Sequence, residues 1–331
     1  LNSGFWDRDI KTIALGAAVE EHQFARPVLD KTLGPQSPMW NREHVRKRLW
    51  EFLAGRTRLQ VSVDLEVMVA QILHEVHLGL EISERQAKEF NELRTTALVM
   101  IIQPPNPQFE ALFHKGWCQD ERDKWLRLYE KTIRENRFGV FPHRLNERQR
   151  FLLATNILDS LLFAGGTSLP GILSVGLAVL YSDNSPLHAE ARLLNEDESV
   201  QKLVWEVIRQ MPAVVGFPWW SPDGTQRRVM SLSMALRDPK VWGRDSDTFR
   251  LREISEYEKY GHVAWAQPAN GKGWQAGAIT NSSRGCPAQR FSFVVATEFF
   301  DMWQAIRKDW TVPTVGFWPF VIGGPGSIKF G

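Results

Sequence analysis

Residues 161–181 carry no charged side chain, a run near the roughly 20 apolar residues that cross a bilayer. The middle of the run holds Gly165, Gly166, Thr167, Ser168 and Pro170, and Asp159 stands just ahead of it. No second run of this kind follows or precedes it. A core helix with a local distortion fits these residues better than a membrane span, because glycine and proline weaken the regular backbone ladder.

The rest of the first half supplies helices around such a core. An amphipathic helix is expected within residues 30–55, behind a break marked by Pro35 and Pro38. Residues 62–80 place apolar side chains at helical spacing, 83–102 read as another helix, 120–137 as a strongly charged, solvated helix, and the core helix itself reads as 146–181. Pro104, Pro105 and Pro107 mark a loop between two of them. Two shorter helices are expected at 187–194 and 196–211. After Pro212 the composition changes. Residues 214–277 are rich in Gly, Pro and Trp and read as small strands and loops, one more helix follows Cys286 to about residue 307, and residues 313–330 resemble a terminal hairpin. The expected class is mainly α with minor β, in a single domain spanning 1–331.

Composition narrows the function classes. The chain has 331 residues, 43% hydrophobic and 24% charged, with a net charge of +2, so bulk electrostatics does not direct it to nucleic acid. Two cysteines do not make a disulfide framework and point to a reducing compartment. Fourteen tryptophans and 19 phenylalanines suit an interior that holds a flat or greasy ligand. Residues 1–9 lack the basic start and apolar run of a secretory signal, and the first residue is Leu1 rather than Met. The expectation is a cytoplasmic or membrane-associated domain of a longer polypeptide.

Some local patterns do not lead to a site. His74-Glu-Val-His77 spaces its histidines three apart, where the zinc-protease helix needs four, and no third ligand accompanies them. Ala164-Gly-Gly-Thr-Ser168 lacks the lysine of a phosphate loop. A basic face at Arg42, Arg46, Lys47 and Arg48 suits either solvent or an acidic partner.

Four other features occur in order. His22 and Arg26 stand four apart, on one face if helical. The apolar helix is interrupted at Gly165-Gly166-Thr167-Ser168. Glu206 and Arg209 are helical i, i+3 neighbours. Last comes Asn281-Ser-Ser-Arg-Gly-Cys-Pro-Ala-Gln-Arg290, with Arg284 two residues before Cys286. A thiolate needs an electropositive setting of that sort, and the bland alternative is a buried structural cysteine.

This ordered set resembles the haem-thiolate superfamily, the cytochromes P450. Their signature, Phe-x-x-Gly-x-Arg-x-Cys-x-Gly, is kept at Arg284 and Cys286 and replaced at Ile279, Ser282 and Ala288. Glu206 and Arg209 are similar to the family's Glu-x-x-Arg pair, and Arg250 or Arg252 would be its third partner. The segment from Ala235 to Trp242, followed by Asp247-Thr-Phe249, is similar to the stretch ahead of the family's cysteine loop. The resemblance implies a P450-like fold lacking the usual amino-terminal part, haem b held by Cys286 as axial ligand, and His22, Arg26 and Arg284 as propionate contacts.

Monooxygenases of the superfamily carry an acid and then Thr in the long helix. Here those places hold Thr167 and Ser168. The allene oxide synthase, hydroperoxide lyase and epoxyalcohol synthase branch lacks that relay because its substrate brings its own O–O bond, and the Gly165-Gly166 pair and the Arg284–Ala288 loop are similar to that branch. It places an Asn three residues before the Gly-Gly pair, where this chain has Leu162. The resemblance therefore implies an enzyme that rearranges or cleaves fatty-acid hydroperoxides, or takes another apolar small molecule, without external dioxygen or reductant. Val214, Val215, Phe217, Val315, Phe317 and Trp318 would line the acyl pocket. Two alternatives remain: a dioxygen-dependent monooxygenase with a redox partner, and a non-catalytic haem domain fused to or associated with a fatty-acid dioxygenase.

Overall fold

Helices carry most of the backbone in the computed structural model, which describes residues 19–54, 56, 59–102, 115–181, 198–212, 216–220, 227–265 and 285–306. The chain divides into two compact units. The first contains α1 (Val19–Leu33), most of α3 (Val61–Leu78), α4 (Glu84–Ile102), α5 (Lys115–Glu135), α6 (Glu147–Asp159) and a π-helical segment, Ser160–Ala164. The second contains α2 (Arg42–Ala54), nearly all of α7 (Gly165–Tyr181), α8 (Ser199–Gln210), strands β1 (Gly216–Trp220) and β2 (Arg227–Ser231), α9 (Leu232–Ala235), α10 (Pro239–Trp242), α11 (Ile254–Tyr260), a 3-10 turn (Gly261–Trp265) and α12 (Gln289–Ile306).

The helix expected at 146–181 is present as α6, the π segment and α7, one continuous run. Asn146 opens it with a capping box: its side chain accepts from the Gln149 N–H, and the Gln149 side chain accepts from the Asn146 N–H. Among the described residues this is the helix long and apolar enough to cross a membrane, and 61% of its apolar window is buried by the protein. Leu158, Leu161 and Leu162 are fully inside. The local distortion is the π segment, where the Gly165 N–H reaches back five residues to the Ser160 carbonyl.

In the first unit α4 packs on α5 and on the π segment, and α6 packs on α5 and α1. The strongly charged α5 keeps one apolar stripe, Cys118, Trp125, Tyr129 and Ile133, at helical spacing and buries it. His74 and His77 of α3 enter this core, and among the described residues no cluster of metal-ligating side chains forms. His74 Nδ1 donates to the Ala70 carbonyl at 2.7 Å, so Nε2 is left to accept from the Tyr129 hydroxyl at 2.6 Å. His77 Nδ1 lies 3.4 Å from the Thr32 hydroxyl.

Burial pushes His74 down to about 4 and His77 down to about 3. Both are neutral in the fold, while the unfolded chain protonates them near pH 6.5, so the unfolded state binds more protons below that pH. Stability is therefore expected to fall as pH drops from about 6.5 toward 4, by up to about 2 kcal/mol per histidine on reaching pH 5. Urea titrations at pH 7 and pH 5 read this; equal midpoints at the two values would contradict it.

In the second unit α12 packs against α2 and α8. Gly176 of α7 lets that helix approach α12 closely, since a Cβ there would lie 2.2 Å from the Phe300 ring. The strands form one antiparallel ladder from Gly216↔Ser231 to Trp220↔Arg227. The stretch expected as strands and loops also contains α9, α10, α11 and the 3-10 turn. Short caps start two of these: the Ser231 hydroxyl accepts from the Met234 N–H, and the Asp238 carboxylate accepts from the Lys240 N–H with Pro239 at the first helical position. The basic face of α2 carries acidic partners from its own chain. Arg42 and Arg46 close on the buried Glu298 of α12, Arg46 also reaches Asp301, and Lys47 and Arg48 pair with Glu51. The expected helix at 187–194 and the terminal hairpin lie outside the described residues.

Candidate functional site

Helix α8 is buried almost all round from Leu203 to Gln210, which places a carboxylate and a guanidinium in the interior. Glu206 is fully buried and takes donors on both oxygens. Arg209 grips it bidentately, Nε to Oε2 at 2.8 Å and Nη2 to Oε1 at 2.7 Å. Arg252 Nη1 donates to Oε1 at 2.8 Å and the Tyr257 hydroxyl to Oε2 at 2.8 Å. The backbone N–H of Arg250 adds a fifth donor at 3.1 Å, while its side chain turns outward to pair with Asp245. The third partner of the pair is thus Arg252.

Two guanidinium groups on one carboxylate leave an excess positive charge, and backbone carbonyls absorb it. Arg209 Nη1 donates to Ser246 O at 2.6 Å and Leu236 O at 3.0 Å, and Arg252 Nη2 donates to Asp245 O at 2.8 Å. The cluster thereby pins the segment 236–252, an irregular stretch with little ladder of its own. Burial and the neighbouring Glu206 carboxylate push the Tyr257 hydroxyl well above the usual phenol range, so it stays a donor.

A stack of rings connects this cluster to the cysteine. Trp205 lies parallel to Tyr257 at 5.9 Å and meets Trp265 edge-on at 5.3 Å. The Trp265 carbonyl then accepts the Cys286 N–H at 2.9 Å, and its indole donates to the Ser292 hydroxyl at 3.3 Å. Cys286 is half-buried and sits just ahead of α12, where the first helical N–H groups favour negative charge. Neither cysteine forms a disulfide. Cys118 is the contrasting case: burial pushes its thiol up to about 12, so it stays protonated in the core.

Gly165, Thr167 and Ser168 are half-buried and Gly166 is buried, all directly after the π segment. A Cβ on Gly166 would lie 1.9 Å from the Leu161 carbonyl, so the bend requires glycine there. His22 and Arg26 lie on α1 in the first unit, both buried, and Arg26 Nε donates to Asp30 at 2.8 Å. Phe217 pairs with Met230 across the strand ladder. Arg284, Val214, Val215, Val315, Phe317 and Trp318, and the side chain of Phe217, lie outside the described residues. The sequence reading missed Tyr257, Trp265 and, beside Gly166, Arg94. Only Pro170 signalled the last, since a proline in a helix strips a donor from the carbonyl four residues earlier.

No protein-family model matches the sequence, and a search of curated proteins finds no match. Solved structures do match. P450BioI in complex with a hexadec-9Z-enoic acid-ligated acyl carrier protein aligns over 93% of this chain and 78% of its own, with TM-score 0.67 and 12% identity. CYP109E1 from Bacillus megaterium in complex with testosterone aligns over 99% and 88%, with TM-score 0.66 and 15% identity. Myxobacterial CYP267B1 in complex with myristic acid aligns over 96% and 79%, with TM-score 0.64 and 18% identity. The chain has the cytochrome P450 fold.

Proposed function

We propose that this chain is a haem-thiolate enzyme that rearranges or cleaves fatty-acid hydroperoxides. Its fit to haem rests on Cys286, a half-buried side chain ahead of a helix N-terminus, anchored through its own N–H to the ring stack and the Glu206 cluster. A thiolate is a soft, electron-donating ligand suited to iron. When bound, a thiolate-ligated haem supplies cleavage of an O–O bond.

The chain's own residues supply the rest. Gly165 and Gly166 are assigned to the catalytic turn, where the missing Cβ atoms make room for Leu73 and for the Leu161 carbonyl and so permit the bend. Thr167 and Ser168 offer hydroxyls that hold or pass a proton. Arg284, His22 and Arg26 are the cationic or hydrogen-bonding side chains assigned to the propionates. Val214, Val215, Phe217, Val315, Phe317 and Trp318 are assigned to the acyl pocket. The observation that supports hydroperoxide chemistry is the sequence after the bend: by the resemblance Thr167 stands where a dioxygen-activating relay has its acid, and no carboxylate occurs from Leu161 to Tyr181. Three fold neighbours carry acyl ligands, namely hexadec-9Z-enoic acid on a carrier protein, myristic acid and arachidonic acid, which supports an acyl substrate.

The test gives the purified protein a polyunsaturated fatty-acid hydroperoxide with no reductant. Rapid loss of the peroxide into a defined set of oxylipins is expected. Turnover that appears only with dioxygen and an electron-donating partner would replace this reading with the monooxygenase one. Haem binding with neither activity would favour a non-catalytic domain working beside a dioxygenase.

A further inference from the structure

Pro170 lies inside α7 and has no backbone N–H, so it withholds the i→i−4 donor from the Gly166 carbonyl. Arg94 of α4 fills that place. Its Nη1 donates to the Gly166 oxygen at 2.7 Å, and its Nη2 pairs with Glu66 of α3 at 2.6 Å. The guanidinium is nearly fully buried, with 4% of the side chain exposed, so the Glu66 carboxylate is what makes its burial tolerable. On the other side of the bend the backbone is already off the α ladder, with the Gly165 N–H bonded to Ser160. The turn that carries Gly165, Gly166, Thr167 and Ser168 is therefore bounded by a π segment before it and a proline after it. One side chain from another helix replaces the bond it lacks. Contact is close along the arginine stem as well, since a Cβ on Gly166 would lie 3.4 Å from Arg94 Cδ.

We propose that Arg94, held by Glu66, is a positioning residue. It fixes the bend and so sets the direction of the Thr167 and Ser168 hydroxyls for the reaction; its catalytic consequence rests on the function proposed above. A ten- to hundred-fold loss in kcat with little change in KM is the scale expected when such a group drifts by about 1 Å.

The experiment is a double-mutant cycle of Arg94→Met and Pro170→Ala, read by thermal stability, by the haem absorption spectrum and by kcat and KM with a fatty-acid hydroperoxide. Arg94→Met alone is expected to lower the melting temperature, shift the spectrum and lower kcat about tenfold or more. Arg94→Lys, which keeps a donor, should recover much of the loss. In the Pro170→Ala background residue 170 regains its N–H, and the penalty of Arg94→Met should fall by at least about half. An Arg94→Met protein that binds haem with an unchanged spectrum and unchanged kcat overturns the proposal, as does a penalty equal in both backgrounds. If the unmutated protein takes up no haem or turns over no hydroperoxide, the functional reading fails instead, and the stability cycle by itself still decides whether the clamp holds.

Discussion

Glu206→Ala is expected to lower the unfolding stability by about 3–5 kcal/mol, a large share of what holds a domain folded. The substitution leaves Arg209 buried with no countercharge, Arg252 with only the half-exposed Asp245 carboxylate at 3.7 Å, and the Tyr257 hydroxyl without its acceptor. Breaking a buried pair in this way costs about 3–5 kcal/mol, against a total stability of about 5–15 kcal/mol for a domain. Both arginines would retain carbonyl partners at Ser246, Leu236 and Asp245, but carbonyl dipoles do not replace a full negative charge. The segment 236–252 should loosen first, because those same bonds hold it. Soluble yield and urea unfolding read the effect. A companion pair isolates the geometry: Arg252→Met should cost several times more than Arg250→Met, whose side chain meets only the half-exposed Asp245. Equal penalties would show that the outward pairing of Arg250 is not the working arrangement in solution.

That asymmetry marks the limit of what spacing conveys. Glu206 and Arg209 are legible because i, i+3 neighbours meet on any helix. Arg250 and Arg252 stand equally near in sequence, and only the fold shows that one contributes its backbone N–H and the other its guanidinium. The long helices were legible from their periodicity, and the bend from Gly165, Gly166 and Pro170. Helices α9 and α10 were not, since four residues carry no period; their caps, Ser231 and Asp238-Pro239, were the available signal. Glu298 illustrates the same limit. It lies within an apolar run, and its partners Arg42 and Arg46 are far away in the chain, so a neutralised buried carboxylate looked like an unrelated basic face. Arg94 is intermediate. Pro170 announces an orphaned carbonyl, but no pattern says which distant donor meets it.

Cys286→Ala carries the second large effect, and it acts on chemistry while leaving the fold largely in place. The Cys286 backbone bond to Trp265 does not involve the side chain, so it survives the substitution. The half-buried thiol contributes less apolar packing than a core residue. Stability of the apoprotein should therefore change by no more than about 1 kcal/mol. The reduced, carbon-monoxide-bound protein should lose its thiolate-type absorption band, and hydroperoxide turnover should fall by more than about 100-fold, beyond the range typical of outer-shell partners of a metal. Cys118→Ala is the control, since the Cys118 thiol is held protonated by burial and should leave the spectrum untouched. Trp265→Leu tests the connection between the two halves of the site: it removes the indole that donates to Ser292 and meets Trp205. The loop bearing Cys286 should then shift relative to α12, weakening the thiolate band without eliminating it. A band unchanged in Cys286→Ala would remove the axial-ligand assignment, and with it the reason to place O–O cleavage on this chain.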